Sequence, residues 1–94
     1  MRVLIIDYDG SCYSADIPNC RRILEKIVMG RTETSVHGGI CFITNSDSEY
    51  LFPESRRYAG RVIRGPFIVS GWGNDGEYRG LTDEELREWY HEFA

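Results

Sequence analysis

The C-terminal segment constrains the fold more than any other stretch. Thr82-Asp83-Glu84-Glu85 has the form of a capping box. In that motif a threonine side chain accepts from the backbone N–H three residues on, and the glutamate there reaches back to the threonine N–H. Behind it, Leu86, Trp89, Tyr90 and Phe93 recur at i, i+3, i+4 and i+7, one apolar stripe of a helix over residues 82–93. Asp83, Glu84 and Glu85 sit where they complement the helix dipole. A stripe carrying tryptophan and phenylalanine has to be covered. In 94 residues, too few for two cores, the cover comes from within the same domain.

A second stripe repeats the pattern near the other end. Cys20, Ile23, Leu24, Ile27 and Val28 recur at i, i+3, i+4, i+7 and i+8, with Arg21, Arg22, Glu25 and Lys26 on the wet face. Pro18 suits a first helical turn, and Gly30 suits a left-handed C-terminal position, so the helix is expected over residues 18–29. Asp16 and Asn19 are both available as caps.

The remaining apolar runs are short and read as strands. Arg2–Asp7 and Ser11–Asp16 flank an Asp9-Gly10 turn signal. Thr32–Val36 and Ile40–Thr44 flank Gly38-Gly39, Tyr50–Phe52 is a short strand stopped by Pro53, and Val62-Ile63 and Phe67–Ser70 are divided by Gly65-Pro66. Pro53–Gly60 reads as irregular, and Trp72–Glu77 as a glycine-rich loop. The expectation is a single α+β domain: a small, mostly antiparallel sheet with both helices packed on it, on one face.

Charge removes several functions. Eleven basic residues face fifteen acidic ones, giving a net charge of −4. The sequence pI is about 5.1, which disfavours nucleic acid and anionic membranes, since both are bound through many lysine and arginine contacts. No run approaches the ~20 apolar residues of a membrane span. No signal peptide is recognised, and three widely spaced cysteines suggest reduced thiols, so a cytoplasmic protein is expected.

Three motifs suggest chemistry. Val3–Asp7-Tyr8-Asp9-Gly10 resembles the strand and Asp-x-Asp of haloacid-dehalogenase-type phosphotransferases. That chemistry needs a phosphate-binding lysine; Lys26, the sole lysine, lies on a solvated helix face, and the turn reading is preferred. Gly71-Trp72-Gly73-Asn74-Asp75-Gly76 spells G-x-G-x-x-G, but Glu77–Gly80 separate it from the next helix and no βαβ unit fits. Cys12, Cys20, His37 and Cys41 are the candidate zinc ligands; they lack a tight C-x₂-C pair, so no metal or other cofactor is expected. Neither His37 nor His91 accompanies a nucleophile-elbow pattern. No catalytic residue is assigned. The alternative reading is a small-ligand-binding or enzymatic domain that uses the Asp7–Asp9 hairpin or the Gly71–Gly76 loop.

One charge cluster remains. Arg56, Arg57, Arg61 and Arg64 fall close together around Tyr58, while Asp75 to the end is strongly acidic. Arginine and tyrosine in an irregular segment are favoured interface residues, so Arg56, Arg57 and Tyr58 are the expected binding residues. The competing role for the arginines is neutralisation of the acidic terminal helix.

Larger-scale order adds a resemblance. Ile40-Cys41-Phe42-Ile43-Thr44-Asn45, Pro53-Glu54-Ser55-Arg56-Arg57, Ile63-Arg64-Gly65-Pro66-Phe67-Ile68-Val69 and Leu81-Thr82-Asp83-Glu84-Glu85, in that order, resemble the domain-of-unknown-function family numbered thirty-eight forty-six. The N-terminal strand, turn and helix fit it as well. Ser55 stands where the family is expected to have asparagine, and the cysteines are particular to this chain. The resemblance implies an accessory protein of phages, plasmids or conjugative elements, with a host or phage protein as partner, and brings no catalytic residue. Inhibition of host defence, of anti-CRISPR or anti-restriction type, is an expectation by association with such elements.

Both stripes predict core positions. Leu24→Ala and Trp89→Ala should each lower the unfolding free energy by about 2–5 kcal/mol in urea titrations, through lost transfer energy and the cavity left behind.

Overall fold

In the computed structural model, which describes residues 1–94, Val3, Leu4, Ile5 and Ile6 are all buried. Successive side chains of a strand point to opposite faces, so a strand buried at four successive positions is covered on both sides. The strand is β1 (Arg2–Ile6). Two others share the property: β4 (Ile40–Asn45) and β7 (Phe67–Trp72). With β2 (Cys12–Asp16) and β3 (Thr32–His37) they form an antiparallel sheet in the order β2-β1-β7-β4-β3. Strand β8 (Tyr78–Arg79) extends it by pairing with the end of β7. Ile68 lies between Ile5 and Ile43, and Val69 between Leu4 and Phe42.

The α+β architecture is as expected, but the helices do not share a face. Helix α1 (Arg21–Val28) sets Leu24 and Val28 against Val3, Ile5, Cys41, Ile43 and Ile68. Helix α3 (Asp83–Phe93) sets Trp89 and Phe93 against Leu4, Ile6, Phe42, Phe67 and Val69. The physical reason is the double burial of β1, β4 and β7. Each face of those strands is apolar, and one helix covers each. Leu24 and Trp89 are 3% and 8% exposed, as their stripes require.

Helix α1 is shorter than residues 18–29. It starts after Cys20, which makes no side-chain cap, and Cys20 itself is exposed rather than part of the buried stripe. Neither Asp16 nor Asn19 caps it; Asp16 instead pairs with the N-terminal ammonium at 3.1 Å. At the other end the left-handed residue is Met29 (φ 66°), not Gly30. Gly30 serves a different need. A Cβ there would lie 2.6 Å from the Asn45 amide nitrogen. That buried amide donates to the Val28 and Met29 carbonyls, both at 3.1 Å, closing the helix from β4.

The segment after β4 also differs from expectation. A helical turn, α2 (Ser48–Leu51), replaces the strand expected at Tyr50–Phe52. Residues 53–60 are not irregular: β5 (Glu54–Tyr58) pairs with β6 (Arg61–Arg64) as a separate two-stranded hairpin. Its turn, Ala59-Gly60, has both φ positive (49° and 78°), the sense that matches strand twist. Ile63 and Tyr58 of this hairpin pack on the α3 side of the sheet.

One carboxylate organises the start of helix α3. Glu85 closes the capping box, accepting from the Thr82 N–H at 2.9 Å while its own N–H donates to Thr82 Oγ1 at 3.1 Å. The same carboxylate takes a two-pronged contact from Arg79 at 2.7 and 2.8 Å. Arg79 also donates to the Gly80 and Gly39 carbonyls, both at 2.9 Å, and lies across Gly71, where a Cβ would collide with it at 2.3 Å. The hydrogen bonds from Arg79 are the main reason the Glu85 carboxyl is lowered to about 2.

A carboxyl whose folded value lies below its unfolded one stabilises the fold above the unfolded value and loses that stabilisation as pH falls through the folded value. Between pH 5 and 2 the wild type should therefore lose on the order of 1–2 kcal/mol that Glu85→Gln does not lose. Urea midpoints measured at stepped pH check this.

Candidate binding groove

Because residues 54–58 are a strand, Arg56, Arg57 and Tyr58 do not act as one surface. Arg56 turns inward. Its Nε donates to the Phe93 carbonyl at 2.7 Å and its Nη2 to the Gly10 carbonyl at 2.7 Å, with Nη1 on Ser55 at 3.0 Å. It thereby ties the hairpin to the C-terminus of α3, where a cation is favoured, and to the β1–β2 turn. Arg57 points outward and pairs with Glu54 at 3.0 and 3.1 Å, a contact that raises its pKa. Tyr58 points inward to Trp89, Phe42 and His37, with ring centroids 5.1, 5.4 and 5.8 Å away.

The other candidates are dispersed. In the β1–β2 turn, Asp9 Oδ1 accepts from the Ser11 hydroxyl at 2.7 Å and the Ser11 N–H at 2.9 Å, which holds its carboxyl below the ordinary value. Asp7 accepts from the Tyr8 N–H at 2.7 Å and the Tyr13 hydroxyl at 3.2 Å. Gly71–Gly76 form the end of β7 and the turn into β8, with no helix opening on them. Cys41 is buried against the α1 side beside the Ser70 hydroxyl at 2.9 Å, whereas Cys12 packs toward the α3 side. Burial raises both thiols. His37 lies on the α3 side and Cys20 is exposed before α1, so the sheet divides the set, with Cys12 and His37 on one side and Cys41 on the other. No group of three or more His, Cys, Asp and Glu side chains is placed to hold a metal.

A groove of about 140 Å³ lies between β3 and the β5–β6 hairpin. Register explains its composition. Glu33, Ser35 and His37 oppose Thr44, Phe42 and Ile40, so they share the α3 face on which the hairpin sits. The floor is Phe42, Tyr58 and Ile63, and Arg61 and Arg64 line the hairpin side. Ser35 Oγ and His37 Nε2 are hydrogen-bonded at 2.9 Å, and the imidazole lies over Phe42 with centroids 4.7 Å apart. Arg61 and Arg64 were visible in the sequence as part of a charge cluster. Ser35 carried only a strand position and His37 only a candidate zinc-ligand reading, and neither gave a sign of the hairpin above them.

The family model for the domain of unknown function DUF3846 matches residues 1–94. The chain belongs to the DUF3846 family. No curated protein and no solved structure is matched. In this DUF3846 domain no helix is long and apolar enough to cross a membrane. The groove is thus built from β3, β4 and the β5–β6 hairpin of the matched domain itself.

The two neighbouring arginines should behave differently on truncation. Arg56→Ala removes three bonds to backbone carbonyls and should cost about 1–3 kcal/mol of stability. Arg57→Ala removes an exposed pair and should change stability by less than about 0.5 kcal/mol. Paired urea titrations of the two variants test the assignment.

Proposed function

We propose that this DUF3846 domain is a non-catalytic protein-binding module that acts by stoichiometric contact through the groove between β3 and the β5–β6 hairpin. The observation that carries the reading is the groove's composition: an aromatic and aliphatic floor beside two arginines with no carboxylate partner within the chain. Aromatic anchors flanked by arginine are the usual carriers of binding energy at protein contacts. Tyr58 lies in the groove and Arg57 at the outer face of the hairpin, while Arg56 holds the hairpin in place from below. The carboxylates of Asp7 and Asp9 are engaged in their own turn, which favours binding over turnover.

The setting that the family resemblance implies, a phage or other mobile element acting in the host cytoplasm, makes a host or phage protein the proposed partner and inhibition of host defence the proposed role. The net charge of −4 argues against nucleic acid as the partner.

Affinity capture from host lysate with two baits tests the reading. Wild-type protein should retain a partner at near-equal molar amount. Arg61→Glu/Arg64→Glu, at unchanged melting temperature, should retain at least about tenfold less, since reversing charges at a contact replaces attraction by repulsion. Capture of no partner by the wild type, or equal capture by both baits, overturns the proposal.

A further inference from the structure

Strand β3 pairs with β4 on one side and with no strand on the other. An edge strand presents unpaired backbone N–H and C=O groups that accept an added strand, unless proline, lysine or a bulge blunts it. Over Thr32–His37 β3 has no proline and no lysine, Glu33 is its one acidic side chain, and its pairing to β4 is regular from end to end. The same strand forms one wall of the groove. Glu33, Ser35 and His37 face into it, whereas Thr34 and Val36 face the α1 side, where Val36 is 47% exposed.

Charge selects the occupant. Of the cations that make no ion pair, Arg61 and Arg64 are the two that line the groove, and Arg64 Nη1 donates only to the Phe52 carbonyl at 3.4 Å. Glu33 is the one acidic side chain in the lining. In a chain of net charge −4, a site with this local balance is complementary to carboxylates.

We infer that β3 takes up an extended acidic segment of a partner protein as an added strand, with carboxylates on its groove-facing side paired to Arg61 and Arg64. The inference rests on the binding-module reading and specifies its mode. Main-chain bonds to the β3 edge hold the segment, and alternate side chains, about 7 Å apart, reach the groove. The intervening side chains lie beside Val36, where apolar or β-branched residues fit. Glu33 repels a carboxylate placed opposite it and directs the acidic positions toward Ser35 and His37. The recognised pattern is therefore acidic and apolar residues in alternation.

A random-peptide display library selected on the immobilised full chain supplies the probe. Recovered peptides should alternate acidic with apolar residues. A synthetic peptide of that consensus should shift backbone amide resonances of residues 32–37 and 61–64. Its affinity, read by fluorescence anisotropy, should fall at least about tenfold for Arg61→Glu/Arg64→Glu and rise about two- to fivefold for Glu33→Gln, each at unchanged melting temperature. Added salt should weaken it. Peptides without acidic bias, resonance shifts elsewhere, affinity indifferent to both variants, or no recovered peptide would each overturn the inference. The lysate capture above decides the broader reading independently, because a partner retained by the wild type but not by the charge-reversed bait sustains it even if no extended peptide binds.

Discussion

Burial of β1, β7 and β4 on both faces is the constraint from which the rest of the molecule follows. Their inward side chains form two separate apolar layers, one under α1 and one under α3. Leu4, Ile6, Phe42, Phe67 and Val69 make up most of the α3 side, and α3 does not cover that surface alone. The β5–β6 hairpin supplies the remaining cover through Ile63 and Tyr58. The groove is a product of this division. It lies where the hairpin stops short of the outermost strand, so its floor is continuous with the core and its rim is polar.

Arginine performs two distinct tasks here, and geometry separates them. Arg56 and Arg79 spend their planar, multi-donor heads on backbone carbonyls and one carboxylate, joining elements distant in sequence. A lysine ammonium, a single point charge on a flexible stem, does not reproduce that pattern. Arg61 and Arg64 make no such closed set and remain at the groove. The sequence cluster that contains Arg56, Arg61 and Arg64 therefore mixes a strut with surface cations, and composition alone does not tell them apart.

How much was legible depended on the range of the controlling contact. Helix α3 was readable almost to the residue because its start is specified by Thr82 and Glu85, three positions apart. The end of α1 was not, because the demand on Gly30 comes from Asn45, on another strand. The placement of the helices on opposite faces had a local signature, the unbroken apolar runs Val3–Ile6 and Ile40–Ile43, which alternation would have interrupted had one face been wet. The β5–β6 hairpin had none: Glu-Ser-Arg-Arg-Tyr is a poor strand sequence, and Ala59 is a poor residue for a positive-φ turn position. The groove inherits that opacity, since Ser35 and His37 meet Arg61 and Arg64 only through tertiary packing.

The position of β7 has a consequence for synthesis on the ribosome. It is the middle strand of the main sheet, yet both its long partners precede it in the chain, β1 by about sixty residues. Until residues 67–72 emerge, β1–β2 and β3–β4 cannot be joined into one sheet, because each pairs with the same missing strand. Closing such sequence-distant pairings is slow, because chain entropy is lost before the contacts return it. For that interval the nascent chain exposes Leu4, Ile5, Phe42 and Ile43 together with open strand edges, the combination that invites mispairing between neighbouring chains.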